Sequence, residues 1–309
     1  MNVEYIGIID ISVSTNKMVI NNVGEKSRVI CYFLEKFTKI CKHKNKKMKF
    51  NLKNTDLENY FDISIPLKFN SKQPNAYGVE KAKSAPCKVG EIVGDTRQGG
   101  SVNFEQYTFI PHCNGTHTEC IGHITHERIS VRKCLKDTLI PAALVSVQPE
   151  ISAQTEDTYS IELNKQDLFI TKNSILNSNP KILNEGALII RTLPNDDSKL
   201  TKSYGEYIPP FFSNEAMDFI VKSEVKHLLV DVPSIDRIFD DGKLTNHRKF
   251  WNVENDKFET NENSQINNTI TELIYVPDKI KDGNYLLNLQ IAAFESDTSP
   301  SRPLLFEIS

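Results

Sequence analysis

The sequence lacks any apolar run approaching eighteen residues, so it predicts no transmembrane helix. Positive and negative charges nearly cancel, at 37 lysines and arginines against 40 aspartates and glutamates, which gives no support for nucleic acid as a partner. The N-terminal apolar stretch YIGIIDISV is interrupted by Asp10 and leads to no small-residue cleavage site, so a secretory signal peptide is not expected. Neither a membrane nor a nucleic acid is therefore an expected partner.

The six cysteines do not have the spacing of a disulfide framework, and this favours a reducing, cytoplasmic setting. A length of 309 residues suits one large domain or two small ones. Residues 1–47 differ from the rest of the chain, since an amphipathic stretch there leads into the lysine-rich run KICKHKNKKMK. We expect residues 1–47 to be an appendage or the product of a misassigned start, and residues 48–309 to form the functional domain.

One short stretch concentrates the residues that carry chemistry. Four of the seven histidines lie in HCNGTHTECIGHITH at residues 112–126, together with two cysteines and a glutamate. These side chains are the ligands that borderline-soft divalent metals prefer. The Gly-Thr pair at its centre favours a turn followed by an extended segment, in which His117, Glu119, Ile121 and His123 would share one face. We interpret this stretch as the metal-binding and catalytic segment.

Segments beyond this stretch predict strands and a helix. ALVSVQP and YSIELN are predicted strands, and GALIIRT is a continuous apolar run of the kind buried in the middle of a sheet. SNEAMDFIVKSEV is the clearest helix, with Ser213 or Asn214 as its cap, and HLLVDVPSID behind it is another predicted strand. A strand, a helix and a strand in this order form a βαβ unit, so at least part of the sheet should be mixed or parallel.

A long polar loop precedes the histidine-rich stretch. It contains PNAYGVEKAKSAPCKVGEIVGDTRQGGS and leads into the predicted strand VNFEQYTFI. Loops of this length inside a compact domain often cover or line a functional site. A disordered excursion is the alternative interpretation.

The histidine-rich stretch resembles the metal-binding motif of the cyclase family of metal-dependent hydrolases, which includes bacterial kynurenine formamidase and isatin hydrolase. The family pattern is His-x-Gly-Thr-His-x-Asp-x-Pro-x-His. Alignment on the shared Gly-Thr-His implies that His117 is a metal ligand and that Glu119 replaces an aspartate shared between metals. It also implies that His123 is the catalytic histidine.

The chain departs from the family pattern at three positions. Cys113 stands where the family has its first histidine, with His112 one residue out of register, and Ile121 replaces the proline. Thiolate is a softer ligand than imidazole, so Cys113 as a further ligand would favour zinc. Glu119 is one methylene longer than the family's aspartate, which would weaken a carboxylate bridge between two ions.

Two later segments extend the resemblance toward the C-terminus. LLVDVPSIDR is similar to the family's Asp-x-x-Ser-x-Asp stretch, although a turn cap is the alternative role for Asp236. The family has a metal-binding histidine beyond this stretch, which implies that His247 is a ligand rather than a lone surface histidine. The segment NNTITELIYVPDKIKDGNYLLNLQIAAFESDTSPSRPLLFEI follows the family's closing pattern, and Glu272 matches its last metal ligand. An exposed glutamate at a strand end is the alternative there.

The resemblance implies a single α/β domain with a mixed central sheet, similar to the swivelling β/β/α arrangement of the family. It also implies a homodimer or a larger assembly, and one or two Zn²⁺ ions, or Mn²⁺ in their place. The implied metal ligands are Cys113, His117, Glu119, His247 and Glu272. A metal-activated water would attack an amide carbonyl, with His123 as general acid and base. The expected substrate is a small-molecule amide such as N-formylkynurenine, which would make the protein an arylformamidase of tryptophan catabolism.

Two other classes of function remain open. The departures at Cys113 and Glu119 fit a binding or structural protein that keeps one zinc ion for stability, and a closed shell of four ligands without water would identify it. A cysteine-dependent acyl hydrolase, with Cys113 or Cys120 as nucleophile beside a histidine, would need no metal.

Overall fold

A computed structural model describes residues 57–182, 186–205 and 207–308. The predicted appendage at residues 1–47 and the predicted start at Met48 lie outside these residues. The strands are β1 (Phe61–Asp62), β2 (Lys83–Pro86), β3 (Lys88–Val89), β4 (Ile92–Val93), β5 (Glu105–Thr108), β6 (His117–Cys120), β7 (Leu139–Val147), β8 (Glu150–Ile151), β9 (Leu168–Ile170), β10 (Ala187–Thr192), β11 (Phe211–Phe212), β12 (His227–Val230), β13 (Thr269–Glu272), β14 (Gly283–Ile291) and β15 (Thr298–Glu307).

The described helices are short. The α-helices are α1 (Pro111–Asn114), α2 (Val131–Cys134), α3 (Lys172–Asn177), α4 (Asn214–Lys222) and α5 (Thr245–Trp251). Short 3-10 helices lie at Thr96–Gln98, Ile121–His123, Ser152–Gln154 and Asp197–Thr201. Among the described residues, no helix combines the length and the apolar character that crossing a membrane requires.

The main sheet of the described chain closes on itself. Seven strands follow one another in the order β15-β14-β7-β10-β12-β13-β6, and β6 is also hydrogen-bonded to β15. The strands β7, β10, β12 and β13 are mutually parallel, whereas β14, β15 and β6 run antiparallel to their neighbours. The predicted mixed sheet is therefore present, and it closes into a barrel. Closure gives each of the seven strands at least two hydrogen-bonded neighbours, and β15 also pairs with β1.

The predicted βαβ unit is confirmed. The strands β10 and β12 are parallel neighbours, with Ala187 opposite His227, and α4 lies between them in the chain. Ser213 caps α4, since its Oγ accepts a hydrogen bond from the backbone N–H of Ala216 at 3.0 Å. All six residues of β10 are buried, as expected for a strand that is covered on both faces.

Apolar side chains pack on both faces of the parallel strands. Leu188 and Ile190 of β10 belong to a buried cluster that includes Met217 of α4 and Trp251 of α5. Ile189 belongs to a second cluster with residues of β7 and β14. Because alternate residues of a strand face opposite sides, these two clusters lie on the two faces of the sheet.

Two segments differ from their predicted conformation. YSIELN, predicted as a strand, contains none, and its first residue Tyr159 bonds to Asp236 rather than to a neighbouring strand. VNFEQYTFI forms only the short strand β5, which pairs with β2 outside the main sheet. The polar loop before it is built around the ladders β2–β5 and β3–β4, so the interpretation as a disordered excursion is wrong.

Candidate metal centre

Strand register brings three polar side chains together on β6 and β13. In this antiparallel pair His117 lies opposite Glu272, and Glu119 lies opposite Ile270. His117 and Glu119 are two residues apart and so share one face of β6, and directly opposed residues of two strands have neighbouring side chains. The Nε2 atom of His117 is 3.5 Å from Oε2 of Glu272. All three side chains are at least nine-tenths buried.

The fourth side chain, His247, comes from the first turn of α5. The helix begins after Leu244, which has a left-handed backbone and provides no side-chain cap. Asp236 takes over the cap, because its carboxylate accepts hydrogen bonds from the backbone N–H groups of Asn246 at 2.8 Å and His247 at 3.1 Å. The same carboxylate lies 2.6 Å from Nδ1 of His247. Asp236 thus caps a helix and also orients the predicted ligand.

His247 faces both glutamates with its other ring nitrogen. Its Nε2 lies 3.0 Å from Oε1 of Glu119 and 3.8 Å from Oε1 of Glu272. Burial alone would lower the pKa of His247, yet hydrogen bonds with Asp236 and Glu119 hold it well above its usual value. Burial alone would likewise raise the pKa of Glu119, but the neighbouring histidines, His123 first among them, hold it well below. Without a cation, the centre is therefore a buried pairing of carboxylates with imidazoles.

Three buried atoms of the centre make no hydrogen bond of acceptable geometry within the protein, although groups of opposite charge lie 3.2 to 3.5 Å away. They are Nε2 of His112, Nε2 of His117 and Oε2 of Glu119. Nδ1 of His117 bonds to the backbone oxygen of Gly115 at 3.0 Å, just as Nδ1 of His247 bonds to Asp236. Both imidazoles therefore present Nε2 to the same space, as metal-ligating histidines do. A divalent cation fits this set of imidazole and carboxylate donors and would satisfy the unpartnered atoms.

The side chains form three overlapping groups of three residues. Within each group, the candidate ligand atoms lie within 4.8 Å of one another. The groups are His117–Glu119–Glu272, Glu119–His123–His247 and His112–His123–Asp297. Glu119 belongs to the first two groups and so links four of the five predicted ligands. These are His117, Glu119, His247 and Glu272.

Cys113, the fifth predicted ligand, is buried beside the centre but belongs to none of the three groups among the described residues. Burial and the negative charge of Glu272 raise the pKa of its thiol to about 11. A thiol with a raised pKa keeps its proton at neutral pH, whereas ligation needs the thiolate. Its role as a ligand stays a prediction.

His123 reaches the centre by a route that differs from the predicted one. The strand β6 ends at Cys120, and a 3-10 turn over Ile121–His123 brings the ring of His123 back over Glu119. Nε2 of His123 is 3.7 Å from Oε2 of Glu119, and its side chain is 29% exposed. The prediction of an extended segment through His123 is wrong, because Ile121 turns into the apolar core instead of facing the site.

Two side chains that were not predicted as site residues complete the arrangement. Nε2 of His112 lies 3.4 Å from Oε2 of Glu119 and 3.2 Å from Oδ2 of Asp297, and its ring stacks on His123 with centroids 4.4 Å apart. Burial would lower the pKa of His112, but Asp297 and Glu119 raise it to about 10. His112 lies within the histidine-rich stretch, which is a sequence signal. Asp297 has no such signal in the sequence, because only the pairing of β15 with β6 places it beside the histidines.

The polar loop contributes Tyr77 to the edge of the centre. The backbone N–H of Ala76 donates to the carbonyl oxygen of Cys113 at 3.0 Å, which holds the loop against the helix before β6. Burial, together with the charge of Glu272, raises the pKa of the Tyr77 phenol. Tyr77 has a left-handed backbone and meets Phe239 edge-on, with ring centroids 6.1 Å apart. This loop therefore lines the site, as predicted.

His126 and Asp231 lie away from the donor cluster. His126 is exposed and stacks on Phe258, with ring centroids 4.9 Å apart, so it is a surface histidine. Asp231 accepts hydrogen bonds from Thr192 and from Nζ of Lys199 at 2.8 Å, so it serves a separate buried ion pair.

Solved structures share this fold at low sequence identity, although no curated protein matches the chain. A predicted metal-dependent hydrolase from Bacillus stearothermophilus is 15% identical with a TM-score of 0.53, covering 80% of this chain and 98% of its own. Isatin hydrolase A from Labrenzia aggregata, bound to benzyl benzoate, is 12% identical with a TM-score of 0.56, covering 81% and 94%. An isatin hydrolase bound to the product analogue thioisatinate is also 12% identical, with a TM-score of 0.55 and coverage of 93% and 100%. Identities this low establish a common fold.

A sequence model of one family matches the chain directly. The model is described as a putative cyclase, and it matches residues 61–237, more than half of the chain. The matched part contains the histidine-rich stretch and Asp236, and it ends before His247 and Glu272. The chain therefore belongs to the putative cyclase family.

Proposed function

We propose that the protein is a metal-dependent hydrolase of amide bonds. The observation that carries this proposal is the convergence of His117, Glu119, His247 and Glu272, where the buried Nε2 of His117 and Oε2 of Glu119 make no hydrogen bond. We assign these four side chains as the ligands of a zinc or manganese ion, with Cys113 as a further candidate. The group His112–His123–Asp297 borders the same carboxylate, so a second ion is compatible with the donors present.

A divalent cation supplies such a site with a water whose pKa is lowered to about 7 and with a Lewis acid for the carbonyl oxygen. The protein's own side chains hold and orient the donors, and they move the proton. His123 is suited to the proton transfer because its ring is partly exposed and lies over Glu119. We assign it the proton of the attacking water, which it later donates to the nitrogen that leaves when the amide C–N bond breaks.

The residues at the edge of the centre support an aromatic substrate. Tyr77 borders the donor cluster and meets Phe239 edge-on, and both side chains are exposed. Aromatic rings pack favourably against one another in offset or edge-on arrangements. We therefore propose an N-formyl aromatic amine, such as N-formylkynurenine, or a cyclic aryl amide as substrate.

The experiment is elemental analysis of the purified protein together with hydrolysis assays on N-formylkynurenine and isatin. We expect at least one ion of zinc or manganese per chain, and turnover that is lost on chelation and restored on adding metal. Turnover that persists after complete removal of the metal would overturn the mechanism. Stoichiometric metal without turnover of either amide would overturn the proposed substrates.

Deep burial favours a second candidate, a non-enzymatic protein that keeps a metal ion for stability. His117 is fully buried, and Glu119 and His247 are at most 2% exposed. Water-proton relaxation of a Mn²⁺-loaded sample distinguishes this candidate from the hydrolase. A catalytic site keeps an open coordination position, where bound water exchanges with the solvent, whereas a structural site is closed. The cysteine-dependent alternative is less favourable, because the pKa of both candidate thiols is raised, the reverse of an activated nucleophile. Burial raises the pKa of Cys113, and a hydrogen bond with Cys134 together with burial raises that of Cys120.

A further inference from the structure

Tyr159 touches the metal centre from a segment without regular secondary structure. Its hydroxyl donates to Oδ1 of Asp236 at 2.6 Å and accepts a hydrogen bond from the backbone N–H of Arg237 at 3.2 Å. Oδ2 of Asp240 lies farther away, at 3.4 Å. A phenol has one proton to donate, and the shorter contact directs it to Asp236.

Asp236 transmits this contact to His247. Its Oδ1 accepts from Tyr159 and from the backbone of Asn246, and its Oδ2 accepts from the backbone and from Nδ1 of His247. The carboxylate is thus held at both oxygens, and its plane is fixed. The fixed carboxylate in turn holds the imidazole so that Nε2 points at Glu119.

We propose that Tyr159 is a positioning residue of the metal centre, which fixes the orientation of His247 through Asp236 and so strengthens cation binding at Nε2. This inference rests on the proposed function, because it requires His247 to be a metal ligand. Partners behind a ligating histidine change metal affinity by about 10- to 100-fold. The loss of one of several donors to Asp236 should fall within that range.

The variant Tyr159→Phe removes the hydroxyl and leaves the ring, which packs edge-on against Phe211 with centroids 5.0 Å apart. A matched control is Tyr285→Phe, because that hydroxyl donates to the backbone oxygen of Lys281 at 2.7 Å, outside the centre. Competition with a chromophoric chelator gives the dissociation constant for Zn²⁺. We expect Tyr159→Phe to weaken binding about 10- to 100-fold and Tyr285→Phe to leave it unchanged.

A double-mutant cycle with Asp236→Ala, which removes both carboxylate oxygens, separates positioning from a general structural effect. If Tyr159 acts through Asp236, then Tyr159→Phe weakens binding in the wild-type background and adds nothing in Asp236→Ala. An equal loss in both backgrounds, or an unchanged dissociation constant in Tyr159→Phe alone, would overturn the inference while the proposed function stands. Failure of the wild type to bind Zn²⁺ would overturn both. Should Asp236→Ala not fold, the ¹⁵N shifts of the His247 imidazole in Tyr159→Phe replace the cycle, and unmoved shifts would refute positioning.

Discussion

Glu272 lies directly opposite His117 across the antiparallel strands β13 and β6, and the two side chains approach to 3.5 Å between Oε2 and Nε2. A shift of one residue in this register would turn Glu272 to the other face of the sheet. The strand β6 is fixed against such a shift because it also pairs with β15, where Thr298 lies opposite Glu119. Closure of the barrel therefore sets the geometry of the metal centre.

Removal of the His123 side chain should separate catalysis from metal binding. We expect His123→Ala to lower kcat by about 10²- to 10⁴-fold, the usual contribution of general acid–base catalysis, with the bound metal retained. Steady-state kinetics and elemental analysis of the same preparation check this. The control is His126→Ala, whose exposed ring stacks on Phe258 outside the site. Loss of metal together with activity in His123→Ala would make His123 a ligand instead.

The role of Cys113 can be decided by cobalt substitution. A thiolate bound to Co²⁺ produces a sulfur-to-metal charge-transfer absorption that oxygen and nitrogen ligands lack. If Cys113 is the further ligand, this absorption is present in the wild type and absent in Cys113→Ser. Its absence from the Co²⁺-loaded wild type would limit the protein ligands to nitrogen and oxygen donors.

Metal binding should release protons. In the metal-free protein the pKa of His247 lies above its usual value, and that of His112 is raised to about 10. A proton on His247 competes with the cation, so the affinity for Zn²⁺ should rise with pH across the neutral range. Calorimetry in two buffers of different ionisation enthalpy measures the release. A pH-independent affinity with no proton released would contradict this.

The same raised pKa predicts how the metal-free fold depends on pH. A group whose pKa is higher in the folded protein than in the unfolded chain stabilises the fold. Its full contribution is present below the pKa of the unfolded chain and is lost as the pH rises through the pKa of the folded protein. For His112 this contribution should be present below about pH 6.5 and be lost as the pH rises through about 10. Urea unfolding of the metal-free protein and of His112→Asn across this range tests it. The variant should lose the pH dependence assigned to His112.

The cap of α4 gives a prediction about the fold. The Oγ of Ser213 accepts from Ala216 at 3.0 Å and donates to Oδ2 of Asp157 at 2.6 Å. We expect Ser213→Ala to lower the free energy of unfolding by about 1 to 2 kcal/mol. Ser71→Ala, at an exposed position, is the control and should change it by less than about 0.5 kcal/mol. Equal stability of the two variants would show that the cap contributes little.

Local pattern was enough to predict part of this arrangement. The spacing of His117 and Glu119 placed both on one face of an extended segment, and apolar periodicity predicted α4 and the buried strand β10. His247 and Glu272 were predicted only through the resemblance, since neither has a local pattern that distinguishes a ligand from a surface residue.

Other features depend on contacts between distant segments. Asp297 enters the centre only because β15 pairs with β6, and Asp236 caps a helix that begins several residues later. YSIELN has the alternation of a strand, yet Tyr159 bonds to Asp236 and the segment joins no sheet. Barrel closure is likewise a property of strand pairing, which residue patterns within one segment do not specify.

X-ray absorption spectroscopy of the zinc-loaded protein tests the shared metal centre most directly. We expect a first coordination shell of nitrogen and oxygen at about 2.0–2.2 Å, with multiple scattering from two imidazoles. In His247→Ala that scattering should fall to a single imidazole, or zinc should no longer bind stoichiometrically. An unchanged coordination shell in His247→Ala and again in His117→Ala would contradict the account, because neither histidine would then bind the metal.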